Sequence, residues 1–311
     1  MPLAPPMDEP PLLAAFTARI RHDNPMHRGF LANAVAQLTP QEKAELVEYL
    51  AFCTSRSLSI EYLARCYLTV VEDTMREQLY FQRHRQYRYS TFAEVADHVY
   101  FNGEYMSYYM HGLALSSYLW PNHLALFRFF RSSLPTSRRG SYLEIGPGHG
   151  YFLKTAMQLS RYDAFFGVDI SATSIALTQA LVDRYGGDRA GYVHLECVDF
   201  LEADLPPAGF AAIVMGEVLE HVEQPERFLR RIATLAADDS FVFVTTCINA
   251  PAVDHIHLFR HPDELRDLFT ACGLEITHAR ICPHAGKTLD ECLEGRYAVN
   301  VAYVLARSET R

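Results

Sequence analysis

The sequence predicts an α/β fold, a doubly wound sheet of seven strands behind an all-helical region, and three observations carry that prediction. From Arg138 onward, short apolar runs alternate with segments of helical period. This is the pattern of parallel strands joined by helical crossovers. A second observation is the apolar run Tyr142 to Ile145, which enters a turn with glycine at 146, 148 and 150 and leaves it in a helix carrying Phe152, Leu153, Ala156 and Met157. Glycine there permits positive φ and lets a ligand approach the backbone, while the helix start aims unpaired N–H groups at it. Finally, nothing before residue 135 alternates as a half-buried strand does.

The elements follow in order. Residues 1 to 23 read as a poorly ordered tail and a short helix, and Asn24-Pro25 starts a helix through Phe30, Leu31, Val35 and Leu38. Thr39-Pro40-Gln41-Glu42 is a capping box with proline at the first helical position, so a helix begins there. Its expected buried face is Leu46, Val47, Leu50 and Ala51. After Ser57 or Ser59, the positions Ile60, Leu63, Tyr67, Leu68, Val71, Met75 and Leu79 keep a helical apolar period. The stretch from Tyr80 to Phe130 is dense in aromatics, and Asn102 to Tyr109, with Tyr105, Tyr108 and Tyr109, lies close in sequence to the glycine turn. Ordinary packing between helices explains such rings, and so does a lid facing a cation or a planar base. The chain divides into residues 1–135, a helical cap, and residues 136–311, the sheet domain.

Strands are expected at 141–145, 164–169, 191–197, 210–216, 240–246, 274–282 and 297–306, with helices near 149–160, 172–186, 223–237 and 262–272. No periodic helix is read between the last two strands, which permits an antiparallel final strand.

Composition narrows the function. The chain has 311 residues, is 49% hydrophobic and carries a net charge of −9, so a packed core is expected and a broad nucleic-acid footprint is not. No apolar run approaches the roughly 18 to 20 residues that cross a bilayer. The start of the chain lacks a basic segment before an apolar one, so no signal peptide is expected. The seven cysteines include no C-x-x-C pair, which points to reduced thiols and a cytoplasmic location.

The supporting acids define the ligand. Val168-Asp169-Ile170 ends the second strand in an acid about 20 residues beyond the turn, where a carboxylate accepts from ribose hydroxyls. Val198-Asp199-Phe200 ends the third with an acid and a ring suited to adenine. Gly216-Glu217-Val218-Leu219-Glu220-His221-Val222 ends the fourth. Ligands of open α/β sheets bind at such carboxyl ends.

With Leu143-Glu144-Ile145-Gly146-Pro147-Gly148-His149-Gly150, these motifs resemble a class I S-adenosylmethionine-dependent methyltransferase of the small-molecule branch, over about residues 138 to 306. The resemblance implies a Rossmann-like sheet with an antiparallel seventh strand and S-adenosylmethionine as cofactor. It places Glu144, Gly146, Pro147 and Gly148 at the amino-acid tail, Asp169 at the ribose, and Asp199 and Phe200 at the adenine, with Ile170 and Glu217 as further cofactor-binding residues. A nicotinamide dehydrogenase expects glycine where Tyr151 stands and has no use for Glu144.

For the acceptor, His221, His255 and His257 are candidate bases, because imidazole titrates near neutral pH. His221 and His257, with Tyr105 and Tyr109 above, are the expected catalytic groups. Glu217, Glu220 and His221 resemble the E-x-x-E-H metal ligands of RNA-terminal 2′-O-methyltransferases. The string also occurs in small-molecule enzymes without that use, so no metal is expected. Two reactions remain: methyl transfer to a small molecule of specialised metabolism, or cyclisation of S-adenosylmethionine to azetidine-2-carboxylate with release of methylthioadenosine. The helical cap could be a lid, a homodimer face or both.

Overall fold

A computed structural model describes residues 10–207 and 209–308, and the first nine residues of the stretch expected as a tail and short helix lie outside them. Seven helices come first: α1 (Pro11–Asp23), α2 (Arg28–Ala36), α3 (Pro40–Ser55), α4 (Ile60–His84), α5 (Phe92–Ala96), α6 (Gly103–Leu119) and α7 (Pro121–Ser133). The sheet domain then runs β1 (Ser141–Ile145), α8 (Tyr151–Leu159), β2 (Ala164–Asp169), α9 (Ala172–Tyr185), β3 (Val193–Cys197) and β4 (Phe210–Gly216). It finishes with α10 (Pro225–Leu235), β5 (Ala236–Ile248), α11 (Pro262–Ala271), β6 (Leu274–Pro283), α12 (Leu289–Gly295) and β7 (Val299–Arg307).

The strand order is β3-β2-β1-β4-β5-β7-β6, with β7 antiparallel to both neighbours and the other pairings parallel. The chain therefore reverses direction across the sheet between β1 and β4. A crevice opens at such a switch point, outside the carboxyl ends of the strands.

Local signals explain most helix starts. The Thr39 hydroxyl accepts from Glu42 N at 3.2 Å, and the Glu42 carboxylate accepts from Thr39 N at 2.8 Å. Arg128 of α7 grips the same carboxylate through Nε and Nη2, both at 2.6 Å, which ties the cap of α3 to the end of the helical region. Ser59 caps α4. The helix α12 was not expected, although Thr288 and Glu291 form a capping box that marks it. β5 begins at Ala236 directly off α10, with a register shift opposite Phe210 and Ala212.

Two apolar patterns are placed differently from the expectation. On α3 the inward residues are Leu46, Tyr49, Leu50 and Cys53, whereas Ala51 is exposed. On α4, Met75 and Leu79 are 60% and 61% exposed, because the last turns of that helix border a cavity rather than a neighbouring helix.

Alternation along β1 separates two cores. Tyr142 faces a cluster that runs from Leu13 and Tyr67 through Phe130 to Phe243, so the helical region and one face of the sheet share one apolar interior. Phe130 meets Phe152 and Phe243 edge-on, at 4.7 and 5.0 Å between ring centroids. Burying a side chain of that size contributes about 1.5–3 kcal/mol. Leu143 and Ile145 face the second cluster, with Leu229 of α10 and Phe269 of α11.

Candidate active site

A cavity of about 1430 Å³ lies at the carboxyl ends of β1 to β4, roofed by α6 and opening past the end of α4. The glycine turn forms its floor. Gly146 and Gly148 have φ of 66° and 54°, in the left-handed region. A Cβ on Gly146 would come within 2.7 Å of Val218 Cγ2, and one on Gly148 within 3.2 Å of Met110 Sδ. Glycine is thus required both by the turn and by the approach of its neighbours.

Pro147, Asp169, Ile170, Asp199, Phe200 and Glu217 all line the cavity. Asp169 is buried, with Oδ1 accepting from Ser171 N at 2.8 Å and Oδ2 from Gly148 N at 3.2 Å. Burial raises its pKa to about 6 against those two bonds, which lower it. Each oxygen retains acceptor capacity for a further donor. Phe200 packs on Phe228, with the Arg231 guanidinium 5.0 Å from its ring. Asp199 is exposed and accepts from Leu201 N at 2.8 Å.

Glu144 is placed differently. It sits on the Tyr142 side of β1, outside the cavity lining, and accepts from the Tyr142 hydroxyl at 2.5 Å. Residues two apart on a strand share a face, and that face is the inner core. Burial pushes its pKa up to about 8.

The far wall is polar and built around Asp254, which is 2% exposed. Its Oδ1 accepts from the Tyr109 hydroxyl and its Oδ2 from the Tyr100 hydroxyl, both at 3.1 Å. His221 Nδ1 lies 3.1 Å from the Asp254 carbonyl oxygen and 3.4 Å from Oδ2. A carbonyl only accepts, so Nδ1 carries the hydrogen and Nε2 the lone pair. Glu217 holds a left-handed φ of 53°, with its N–H donating to Thr245 O at 3.1 Å. Such conformations concentrate at functional sites.

Of the expected catalytic groups, His221 and Tyr109 reach the cavity, whereas Tyr105 and His257 do not. The Tyr105 hydroxyl donates to Asp73 on α4 at 2.5 Å, and its ring stacks on that of Tyr109. The backbone N–H groups of Ile256 and His257 both donate to Glu220 O at 2.9 Å. That turn leaves His255 facing the cavity and the His257 ring against Phe259. Tyr108 packs on Tyr62 among the helices. Asp254 and Tyr100 were not singled out in the sequence. The burial of Asp254 and its pairing with two tyrosines exist only in the folded chain.

All seven cysteines are free thiols. No helix of the described residues is long and apolar enough to cross a membrane. No metal is expected from the sequence, yet Glu220, His221 and His255 each bring one ligand atom within 4.8 Å of the others.

An open α/β sheet with a glycine turn at its switch point and acids at successive strand ends defines a nucleotide-cofactor enzyme. Residues 122–279, slightly more than half of the 311, match the family described as a methyltransferase domain. The chain belongs to that family, the class I S-adenosylmethionine-dependent methyltransferases, and S-adenosylmethionine is its cofactor. No curated protein matches the sequence. Among solved structures it is similar to the cyclopropane synthase MmaA2 from Mycobacterium tuberculosis. The two are 13% identical at a TM-score of 0.50, over 61% of this chain and 85% of that one. It is also similar to Haemonchus contortus phospholethanolamine N-methyltransferase 2, solved with phosphomonomethylethanolamine and S-adenosylhomocysteine. There the identity is 14% and the TM-score 0.50, over 71% of this chain and 60% of that one. At these identities the likeness is one of fold.

The buried Glu144 yields a pH-dependent prediction. Its folded pKa of about 8 lies above the ordinary 4.5, so the native state holds the proton more tightly than the unfolded chain. Stability is therefore greatest below pH 4.5 and falls as the pH rises towards 8. Glu144→Gln keeps an acceptor for Tyr142 and removes the titration. In denaturant unfolding it should gain about 1–3 kcal/mol over the natural protein at pH 8 and nothing below pH 4. Parallel curves across that range would contradict the burial account.

Proposed function

We propose that this protein transfers the methyl group of S-adenosylmethionine to a largely apolar small molecule of specialised metabolism. The observation that carries the reading is the size and lining of the cavity. At about 1430 Å³ it exceeds the space one cofactor needs, since single-ligand pockets span roughly 300–1,000 Å³. The part away from the glycine turn is lined by Val71, Met75, Leu79, Phe92, Trp120 and Leu126. Exposure of Met75 and Leu79 leaves that part open to a second molecule. A sealed pocket would suit cyclisation of the cofactor alone; an open apolar one suits an acceptor.

The sulfonium supplies an activated methyl, so the chain's task is to bind, orient and take a proton. In this reading the backbone of Gly146 to Gly148 holds the amino-acid tail, Asp169 accepts from the ribose hydroxyls, and Asp199, Phe200 and Ile170 hold the adenine. Glu217 and Tyr109 flank the reacting end. His221 takes the acceptor's proton on Nε2, and Asp254 holds the ring in the required tautomer, as an acid does for a catalytic histidine.

Hydrogen bonds to a carboxylate contribute about 1.5–3 kcal/mol, so Asp169→Ala should weaken S-adenosylmethionine binding at least about tenfold in calorimetry. Unchanged affinity would remove the ribose assignment. Incubated with S-adenosylmethionine alone, the protein should leave it intact until an acceptor is added, and adenosylhomocysteine should then accumulate. Methylthioadenosine above the spontaneous background, formed without any acceptor, would establish cyclisation instead.

A further inference from the structure

We propose that Glu220, His221 and His255 bind one divalent transition-metal ion at the cavity wall, with the Glu217 carboxylate as a further donor. One ligand atom of each of the three already lies within 4.8 Å of the others. Donors around a zinc ion with bonds of about 2.0–2.1 Å sit roughly 3.3 Å apart, a closure that side-chain rotation can supply.

One atom of each side chain is anchored by its surroundings. Thr246 Oγ1 donates to Glu220 Oε2 at 2.7 Å. His221 Nδ1 donates to the Asp254 carbonyl at 3.1 Å, and His255 Nδ1 donates to the Ala250 carbonyl at 2.6 Å. Metal-binding histidines are held in this way, with Nδ1–H on a carbonyl and the Nε2 lone pair turned towards the ion. What remains unanchored is the set of atoms that would bind: both Nε2 atoms and Glu220 Oε1.

The carboxylates supply the independent observation. Glu220 is fully buried, and its Oε1 has no hydrogen-bond partner. Glu217 Oε1 is likewise buried without one; the two carboxyl groups lie against each other, and burial with that like charge pushes the Glu220 pKa well up, so an ion there would take the place of a proton the pair shares. Buried carboxylate oxygens are normally satisfied, because leaving them bare is costly. Among the described residues no lysine or arginine pairs with Glu217, Glu220 or Asp254, and the one ion-pair partner is His221. Two imidazoles with carboxylates match zinc, iron or manganese, whereas magnesium and calcium favour all-oxygen sets.

An ion there changes the part His221 plays. Its Nε2 lone pair goes to the metal, and a hydroxyl acceptor bound beside it loses its proton more readily. Only this consequence rests on the methyl-transfer reading; the site does not.

The test strips the purified full chain with a chelator and titrates it with Zn2+, and separately with Co2+, in the absence of cofactor and acceptor. One equivalent should bind, and Co2+ should show a visible ligand-field band. His255→Ala and Glu220→Gln should each weaken Zn2+ affinity at least about 100-fold while changing S-adenosylmethionine affinity by less than roughly threefold, a sign that the fold is intact. His255→Gln, which keeps more of the ring's volume, replaces the alanine variant if that one fails to fold. A natural protein that binds neither ion overturns the proposal. So does binding that survives all these variants and disappears with Cys197→Ser, the exposed thiol. Methyl transfer by a protein that binds no ion would remove this site and leave the transferase standing; an ion bound without transfer would do the reverse.

Discussion

Two tyrosine hydroxyls from the helical region donate to the Asp254 carboxylate, one to each oxygen, and the placement of the cavity roof depends on this joint. A carboxylate so deeply buried must find donors to replace water. Tyr109 on α6 and Tyr100 just before it supply two of them, so moving α6 away would take the Tyr109 hydroxyl from Oδ1. With α6 held there, Met110 lies against Gly148 and Tyr109 faces the cavity. The shared apolar core behind Phe130 carries the rest of the attachment.

The glycine turn is the matching constraint from below. Its positive φ angles favour glycine at 146 and 148, where a Cβ would press on Val218 and Met110. Roof and floor therefore define each other. The polar wall of Asp254, His221, His255 and Glu217 closes the end where chemistry would occur. Its buried acids face an activated sulfonium in one reading and a metal ion in the other, and among the described residues no lysine or arginine pairs with them.

Much of the sheet domain was legible because strand and helix periods are local. The seven strands near their expected ranges, the antiparallel β7 and the positions of Asp169, Asp199 and Phe200 at strand ends agree with the expectation. Strand alternation alone puts Glu144 on the Tyr142 face, outside the cavity lining. Met75 and Leu79 kept a helical period, but period cannot distinguish a helix facing protein from one facing a cavity. His255 and His257 looked equivalent until the turn bonded to the Glu220 carbonyl separated them. Asp254 and Tyr109 are 145 residues apart, and no local pattern reports such a pairing.

The account is tested most directly by a crystal structure with S-adenosylhomocysteine bound. It predicts the amino-acid tail over Gly146 to Gly148, the ribose at Asp169, and the sulfur turned towards Tyr109 and His221, with apolar space left beside Met75 and Leu79. A ligand whose sulfur points away from that wall, or one that fills the whole cavity, would contradict it.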